Sequence, residues 1–272
     1  RTGGEGGEER GEGAGEGRLG TAGSWKPREG KMHLMPFLLP TSYADSEHEE
    51  VQKVAREIGV GVSDDIQAAR AVRDWVRRNI CYVLDDKDRR ASETLRSREG
   101  MCTNKANLQV ALLRALGVAA GYVLVNVTRE AFRVSGVEET LVGQISEPTV
   151  HCFCAVYIER YGRFLHFDGT EDLESLEQEN LLLEESEDTG ETRYKQDFLR
   201  GPLGPVQSNI DHLLAWKFPR KIPQELIEEQ NSSYRKRRRL QAETQARSFT
   251  RHEEASGAAS PNGSSDGLAA RS

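Results

Sequence analysis

The fold is decided by residues 99–118, which read EGMCTNKANLQVALLRALGV. Four apolar residues recur at the spacing of three, four and seven that places side chains on one helix face: Leu108, Ala111, Leu112 and Ala115. Gly117 follows them at the position of a left-handed helix cap. The segment therefore predicts an apolar central helix that runs from Cys102 to about Leu116.

A cysteine stands at the start of this predicted helix. Unpaired N–H groups and the helix dipole favour an anion at an N-terminus, so this position favours a thiolate at Cys102. A thiolate is the attacking group in covalent cysteine catalysis, and Gly100 allows the sharp backbone turn just before it. A buried structural cysteine is the competing interpretation of Cys102 taken alone.

The segments on either side predict helices first and strands second. Upstream, we predict helices at residues 46–58, from an N-cap at Ser63 to about residue 80, and at residues 91–98. Downstream, the hydrophobic period approaches two, which predicts strands at residues 121–127, 150–158 and 164–168. The sequence therefore predicts an α+β fold whose N-terminal helices, including the central one, pack on an antiparallel sheet.

Two polar residues lie at the ends of adjacent predicted strands. His151 opens the second strand and Asp168 ends the third, so a hairpin places both on one face of the sheet. An imidazole near Cys102 could take the thiol proton, and a carboxylate on its other nitrogen would fix its orientation. A hairpin that pairs Arg160 with Arg163 leaves Asp168 too far along, so the cluster needs a bulge or a longer turn.

The cysteine count gives little support to a metal or disulfide framework. Only four cysteines occur, without a C-x-x-C pair: Cys81, Cys102, Cys152 and Cys154. A metal site that combines His151 and Cys152 is disfavoured, because strand alternation sends these neighbours to opposite faces. We expect no metal and no cofactor, and a reducing, cytoplasmic setting is the favoured interpretation.

These motifs as a set resemble the transglutaminase-like superfamily. The resemblance covers roughly residues 65–170 and lies in AARAVRDWVRRNICY at 68–82, EGMC at 99–102, the helix after it, HCFCAVYI at 151–158 and FDGT at 167–170. It implies a papain-like cysteine mechanism on an α+β core. Cys102 would be the nucleophile, His151 the acid and base, and Asp168 the residue that orients the histidine.

The same resemblance implies further roles and one departure. An oxyanion donor is expected from the Cys102 backbone N–H together with an upstream side chain, for which Tyr82 and Trp75 are the candidates. Phe153 stands where the family often has tryptophan. The implied reaction cleaves or transfers amide bonds of peptides or proteins through a thioester. The alternative is a catalytically inactive member that serves as an interaction module.

Composition defines the ends of the chain and its partners. Acidic residues outnumber basic ones 44 to 37, which disfavours nucleic acid as a partner, and no apolar run is long enough for a membrane span. We predict a Gly/Glu-rich disordered tail at 1–42, the core at 43–175, an extension packing on it at 176–230, and a second tail at 231–272. A solvated acidic stretch is expected at 171–188, and the basic run from Arg235 to Arg239 allows nuclear import.

Overall fold

The structure is a computed structural model that describes residues 32–172, 182–215 and 222–257, with side chains up to residue 244. Its α-helices are α1 (Glu49–Ile58), α2 (Asp65–Asn79), α3 (Ala91–Ser97), α4 (Cys102–Ala115), α5 (Arg129–Val134), α6 (Glu139–Val142), α7 (Asp211–Leu214) and α8 (Gln224–Gly257). Its strands are β1 (Cys81–Tyr82), β2 (Glu99–Gly100), β3 (Ala120–Val127), β4 (Thr149–Ile158), β5 (Arg163–Phe167), β6 (Leu183–Glu185) and β7 (Thr192–Tyr194). The prediction of helices followed by an antiparallel sheet is confirmed.

Helix α4 is the centre of the fold. It packs against α1, α2 and α3 on one side and against β3 and β4 on the other, so its side chains are buried on nearly every face. Five buried polar side chains each donate to a backbone carbonyl of a neighbouring segment: Asn104, Lys105, Asn107, Gln109 and Arg114. Because a buried polar group is costly without a partner, these bonds fix the position of α4 and hence of its first residue.

The main sheet has the order β3-β4-β5, with both pairs antiparallel. Side chains alternate between its two faces, so Cys152 and Cys154 pack toward α4 while Phe153 and Ala155 face a second apolar cluster. His151 shares the face of Phe153, against whose ring it stacks. The alternation predicted for residues 151 and 152 is therefore present.

The β4–β5 turn is longer than the simplest hairpin. A 3₁₀ turn at Glu159–Tyr161 is followed by Gly162 with a φ of 63°, and the first strand pair is Ile158 with Arg163. The pairing of Arg160 with Arg163 is therefore wrong. The longer turn moves the end of β5 two positions along β4, which brings Asp168 toward His151.

The N-terminal boundary of the folded region lies earlier than predicted. Residues 32–42 belong to the described fold, whereas the sequence places them in a tail. Leu34 is buried, and the ring of Phe37 lies 4.7 Å from that of Phe164. The tail prediction is wrong for this segment, because its apolar residues cover the sheet; residues 1–31 lie outside the described residues.

The predicted tail from residue 231 is also wrong over its first part, because α8 continues through it. Asn231 accepts from the backbone N–H of Leu84 at 2.7 Å and donates to its carbonyl at 2.9 Å. Tyr234 is buried, and Arg235 forms a two-bond ion pair with Glu99 at 2.8 Å. Apart from Tyr234, the contacts of this part of the helix are mainly polar, which explains why hydrophobic periodicity does not predict it. Residues 258–272 lie outside the described residues.

The acidic stretch at 171–188 is not simply solvated where the structure describes it. Asp172 is buried, and Glu185 pairs with Arg73 at 3.0 Å and Arg77 at 2.5 Å. The rest of the predicted stretch, at 173–181, lies outside the described residues. Farther along, residues 198–207 run antiparallel to β3 through backbone bonds such as Tyr122 N–H to Gln207 at 2.8 Å. In the described part of the chain, no helix is both long and apolar enough to cross a bilayer.

Candidate active site

The backbone before Cys102 is arranged to bring α4 close to a strand. Gly100 pairs with Tyr82 in the short parallel ladder of β1 and β2. A Cβ atom on Gly100 would lie 2.8 Å from the Cβ of Asn104, a separation that side chains do not tolerate. Met101 then provides an extended N-cap without a side-chain hydrogen bond. The first turn of α4 therefore has no capping side chain, and Cys102 is its first residue.

The structure brings together the three predicted site residues. The Cys102 thiol interacts with the His151 ring, whose pKa it helps to raise, and the ring Nε2 lies 3.0 Å from Oδ2 of Asp168. Because Nε2 faces the carboxylate, Nδ1 is left for the thiol. Cys102 and Asp168 are buried and the His151 side chain is 11% exposed. The three groups therefore form one contact chain with a single solvent-facing member.

The charges of these groups stabilise one another. Burial alone would lower the pKa of His151, but hydrogen bonds and charge from Asp168 and Cys102 outweigh burial and hold that pKa well above its usual value. Burial would raise the pKa of Asp168, yet the bond and charge of His151 hold it well below its ordinary value. The protonated ring of His151 beside the ionised carboxylate of Asp168 is therefore favoured.

Two residues that the sequence analysis does not single out hold the Asp168 carboxylate. Thr170 donates to Oδ1 from its backbone N–H at 2.7 Å and from its hydroxyl at 2.5 Å. The Tyr194 hydroxyl donates to Oδ2 and lies 2.9 Å from Nε2 of His151. Thr170 lies two residues after Asp168, so local spacing could have found it. Tyr194 comes from β7, and no local pattern links it to the site.

Aromatic rings pack around the histidine. The Phe153 ring lies 5.8 Å from His151 in a stacked arrangement, and the Tyr194 ring lies 5.6 Å from each of them. Phe153 thus places an aromatic face against the imidazole. These contacts restrict rotation of the ring that must face both Cys102 and Asp168.

A narrow cleft opens above His151. Its volume is about 40 Å³, room for a few water molecules. Its walls come from distant parts of the chain and include Tyr82, Glu171, Tyr194, Tyr234 and Arg237. Helix α8 supplies the last two of these residues, so the segment predicted as a tail forms one wall of the cleft.

The two oxyanion candidates lie in different places. Tyr82 lines the cleft, and its pKa is raised well above the ordinary value by burial and by the neighbouring Cys102. Trp75 lies beneath the guanidinium of Arg98, 5.2 Å from the ring centroid, and is absent from the described cleft walls. An oxyanion role for Tyr82 stays a prediction, while the position of Trp75 gives that residue no support.

A buried ion pair links α4 to the strand that carries the cleft residue Tyr82. The Lys105 ammonium lies 2.5 Å from Oδ1 of Asp172 and 2.9 Å from the carbonyl of Ile80. The other Asp172 oxygen accepts from the backbone N–H of Tyr82 at 2.9 Å. Lys105 lies one helical turn after Cys102. The pair therefore fixes the distance between α4 and the β1 wall of the cleft.

Glu171 is a second acidic group in the cleft and is only partly exposed. Burial and the neighbouring Asp168 charge raise its pKa to about 7, against opposing effects of His151 and Lys105. A carboxyl group whose pKa is raised on folding stabilises the fold most below its unfolded pKa, near 4.5. That contribution is lost as the pH rises toward 7.

Glu171→Gln is therefore expected to stabilise the protein at pH 8, by roughly 2 kcal/mol, and to have little effect at pH 4. Glutamine removes the cost of a charge in the partly buried cleft, a cost that exists only when the carboxyl group is ionised. Urea unfolding of both proteins at the two pH values measures the difference. Glu184→Gln, on the exposed edge of β6, is the matched control and should change little at either pH. Equal effects of Glu171→Gln at pH 4 and pH 8 would contradict the argument.

No group of three or more histidine, cysteine, aspartate or glutamate side chains placed to hold a metal ion occurs among the residues that the structure describes. Burial raises the pKa of Cys81 to about 12 and raises those of Cys152 and Cys154 above the ordinary value. All four cysteines are free. Cys102 is distinguished from the other three by its contact with His151.

A central helix followed by an antiparallel sheet, with Cys102, His151 and Asp168 close together where they meet, is the arrangement expected of a papain-like core. Residues 52–169 match the model of the transglutaminase-like superfamily. Residues 52–169 therefore form a transglutaminase-like core. The matched residues include Cys102, His151 and Asp168, but not Tyr194 or the residues of α8.

Two solved structures are among those similar to this chain. A protein from Cytophaga hutchinsonii, described as a candidate cysteine protease, is 25% identical with a TM-score of 0.40 over 51% of this chain and 42% of that one. A candidate protease from Parabacteroides distasonis is 13% identical with a TM-score of 0.34, over 50% and 26% of the two chains. This chain thus spans less than half of either protein. A comparison with curated proteins gives no match.

Proposed function

We propose that this protein is a cysteine enzyme that cleaves or transfers amide bonds of peptides or proteins through a thioester on Cys102. The observation that carries the proposal is the contact chain from the Cys102 thiol through the His151 ring to the Asp168 carboxylate. The match of residues 52–169 to the transglutaminase-like superfamily supports the same chemistry. In this proposal Asp168, Tyr194 and Thr170 act only by holding the histidine and its charge.

The reaction would begin with the thiolate of Cys102 beside the protonated ring of His151. The sulfur attacks the carbonyl carbon, the C–S bond forms, and the carbonyl electrons move to oxygen. The intermediate collapses as the C–N bond breaks, and His151 gives its proton to the departing nitrogen. The acyl group then remains on Cys102 as a thioester.

The second half of the reaction would depend on the attacking group. His151, now neutral, takes a proton from the incoming water or amine as that group attacks the thioester carbon. Water gives a carboxylic acid and an amine gives a new amide. In both cases the thiol leaves as the thiolate and the imidazolium is restored. The cleft of about 40 Å³ admits water, which favours hydrolysis in this conformation.

Acid-quench mass spectrometry tests the proposal. The full chain is incubated with a mixture of casein peptides, quenched with acid, digested and searched for acyl adducts. We expect an adduct on the peptide that carries Cys102, which hydroxylamine removes because it is a thioester. An adduct confined to Cys81, Cys152 or Cys154, or an equal Cys102 adduct in His151→Ala, would refute the assignment.

The same reaction separates hydrolysis from transfer. In water enriched in oxygen-18, hydrolysis places the label in the product acid. With monodansylcadaverine present, transfer produces a fluorescent amide. Product acid without fluorescent amide identifies a hydrolase, and fluorescent amide as the main product identifies an acyltransferase.

A catalytically silent interaction module is the second candidate. The observation that favours it is the small volume of the cleft beside His151, about 40 Å³. Thiol reactivity distinguishes the candidates, since a silent protein has no need of an activated thiol. If iodoacetamide modifies Cys102 at pH 6 as slowly as it modifies the three other cysteines, the module is favoured.

A further inference from the structure

A second concavity lies beside β1 and β2, lined by residues other than those of the cleft. Its volume is about 620 Å³, and it is formed by the end of α2, the end of α3 and one face of α8. Five arginines line it, and together they define what we call the arginine groove: Arg78, Arg98, Arg235, Arg238 and Arg239. Cys81 and Glu99 also line it, whereas their strand neighbour Tyr82 lines the cleft.

Most of the positive charge in the arginine groove is not neutralised. Glu99 is the one carboxylate among the lining residues, and it pairs with Arg235 through two bonds of 2.8 Å. Arg238 donates to the carbonyls of Arg77 and Arg78, which hold the guanidinium without cancelling its charge. The three remaining guanidinium groups contact no carboxylate among the described residues.

Several arginines elsewhere on the described surface are neutralised by neighbouring carboxylates. Arg133 pairs with Glu130 and Glu139, and Arg193 pairs with Glu191. The whole chain carries a net charge of −7, so the cluster does not follow from a basic composition. Like charges held together destabilise a fold, and a ligand of opposite charge would offset that cost.

The backbone conformation of Arg98 is unusual for arginine, which indicates that this residue type is required at the position. It ends α3 in the left-handed region, with a φ of 58°, where glycine or asparagine is the usual residue. Its guanidinium lies over the Trp75 ring, 5.2 Å from the centroid. The strained backbone conformation is thus adopted by Arg98, whose charged side chain lines the groove.

We propose that the arginine groove binds an acidic segment of a polypeptide through its carboxylates. Arginine presents a planar fork of donors that matches a carboxylate with two parallel bonds, which lysine does not. The groove is a bounded concavity of about 620 Å³ that suits a few acidic side chains better than a long phosphate polymer. The site is separate from the proposed chemistry at Cys102, so its binding can be measured without turnover.

Fluorescence anisotropy with fluorescein-labelled hexaglutamate tests the proposal on the full chain at 50 mM NaCl. The variant Arg78→Gln/Arg98→Gln/Arg239→Gln removes the three guanidinium groups that contact no carboxylate. It is expected to weaken binding at least tenfold. The control Lys53→Gln/Arg56→Gln/Arg160→Gln removes the same charge from exposed positions elsewhere and should weaken binding less than twofold. Equal weakening by both variants would overturn the proposal.

Two further readouts keep the test decisive. Hexaglutamate should change the tryptophan emission of the wild type but not of Trp75→Phe, because Arg98 lies over that ring. The single variant Arg239→Gln, at an exposed position, should weaken binding severalfold if the triple variant does not fold. An unlabelled oligothymidylate that displaces hexaglutamate at equal or lower concentration would overturn the choice of a polypeptide. Hexaglutamate binding that the groove variants leave unchanged would overturn the site itself.

Discussion

Replacing His151 by alanine is expected to slow the alkylation of Cys102 by iodoacetamide at pH 6 about 100-fold. The thiolate is the reactive species, and an unassisted thiol with an ordinary pKa near 8.5 is almost wholly protonated at that pH. In the wild type the imidazolium of His151, itself held by Asp168, stabilises the thiolate. Removal of the ring leaves only the start of α4 to favour the anion, and the lower nucleophilicity of a stabilised thiolate keeps the factor near 100. Quenched time points with peptide mapping measure the rate at each cysteine.

The other cysteines and a second histidine provide the controls. Cys81, Cys152 and Cys154 should react slowly in both proteins, because burial raises the pKa of each thiol. His212→Ala changes an exposed histidine on α7 and should leave the Cys102 rate unchanged. If His151→Ala alkylates as fast as the wild type, the histidine does not activate the thiol, and the proposed mechanism loses its base.

Replacing Lys105 by methionine is expected to lower the free energy of unfolding by about 3–5 kcal/mol. The Lys105 and Asp172 side chains are 0% and 6% exposed, so the change leaves a carboxylate buried without its partner. The same change frees the carbonyl of Ile80 and weakens the hold of Asp172 on the backbone of Tyr82. Urea unfolding followed by circular dichroism measures the loss.

A double variant separates the pair from its surroundings. Lys105→Met/Asp172→Leu removes both charges and should recover much of the lost stability, because no uncompensated charge remains. Arg96→Met, which breaks the exposed pair with Glu50 at 3.5 Å, is the control and should cost less than about 1 kcal/mol. A loss of similar size for Lys105→Met and Arg96→Met would contradict the importance of burial.

Local patterns were sufficient to predict the elements around the nucleophile. The predicted helix from Cys102 is confirmed as α4, and Gly117 follows it with a φ of 77°. The second helix begins one residue later than predicted, because Asp64 rather than Ser63 accepts from the backbone N–H of Gln67. Such signals are readable because a helix and its caps depend on residues a few positions apart.

The proximity of the three predicted site residues followed from strand order and face alternation, but the exact register did not. The sequence shows a turn near Arg160 without fixing its length, and one 3₁₀ turn decides whether Asp168 reaches His151. Side-chain alternation survives such a shift of two residues, which is why the face was predictable and the position was not.

The supporting residues could not be predicted, because each comes from a remote part of the chain. Tyr194 reaches the site through a two-stranded sheet of its own, and Asp172 through a partner inside α4. Helix α8 has few apolar residues among many charged ones, so its sequence is typical of a solvated segment. Its position depends on individual bonds to Leu84 and Glu99, which no periodic pattern encodes.

Because the ribosome makes residues in sequence order, the residues of the proposed active site become available at different times. Cys102 is synthesised well before His151, and Tyr194 follows, while the α8 residues Tyr234 and Arg237 are made last. A nascent chain that ends before His151 lacks the partner that the proposed function assigns to Cys102. The proposed active site can therefore be complete only after the cleft residues of α8 have been made.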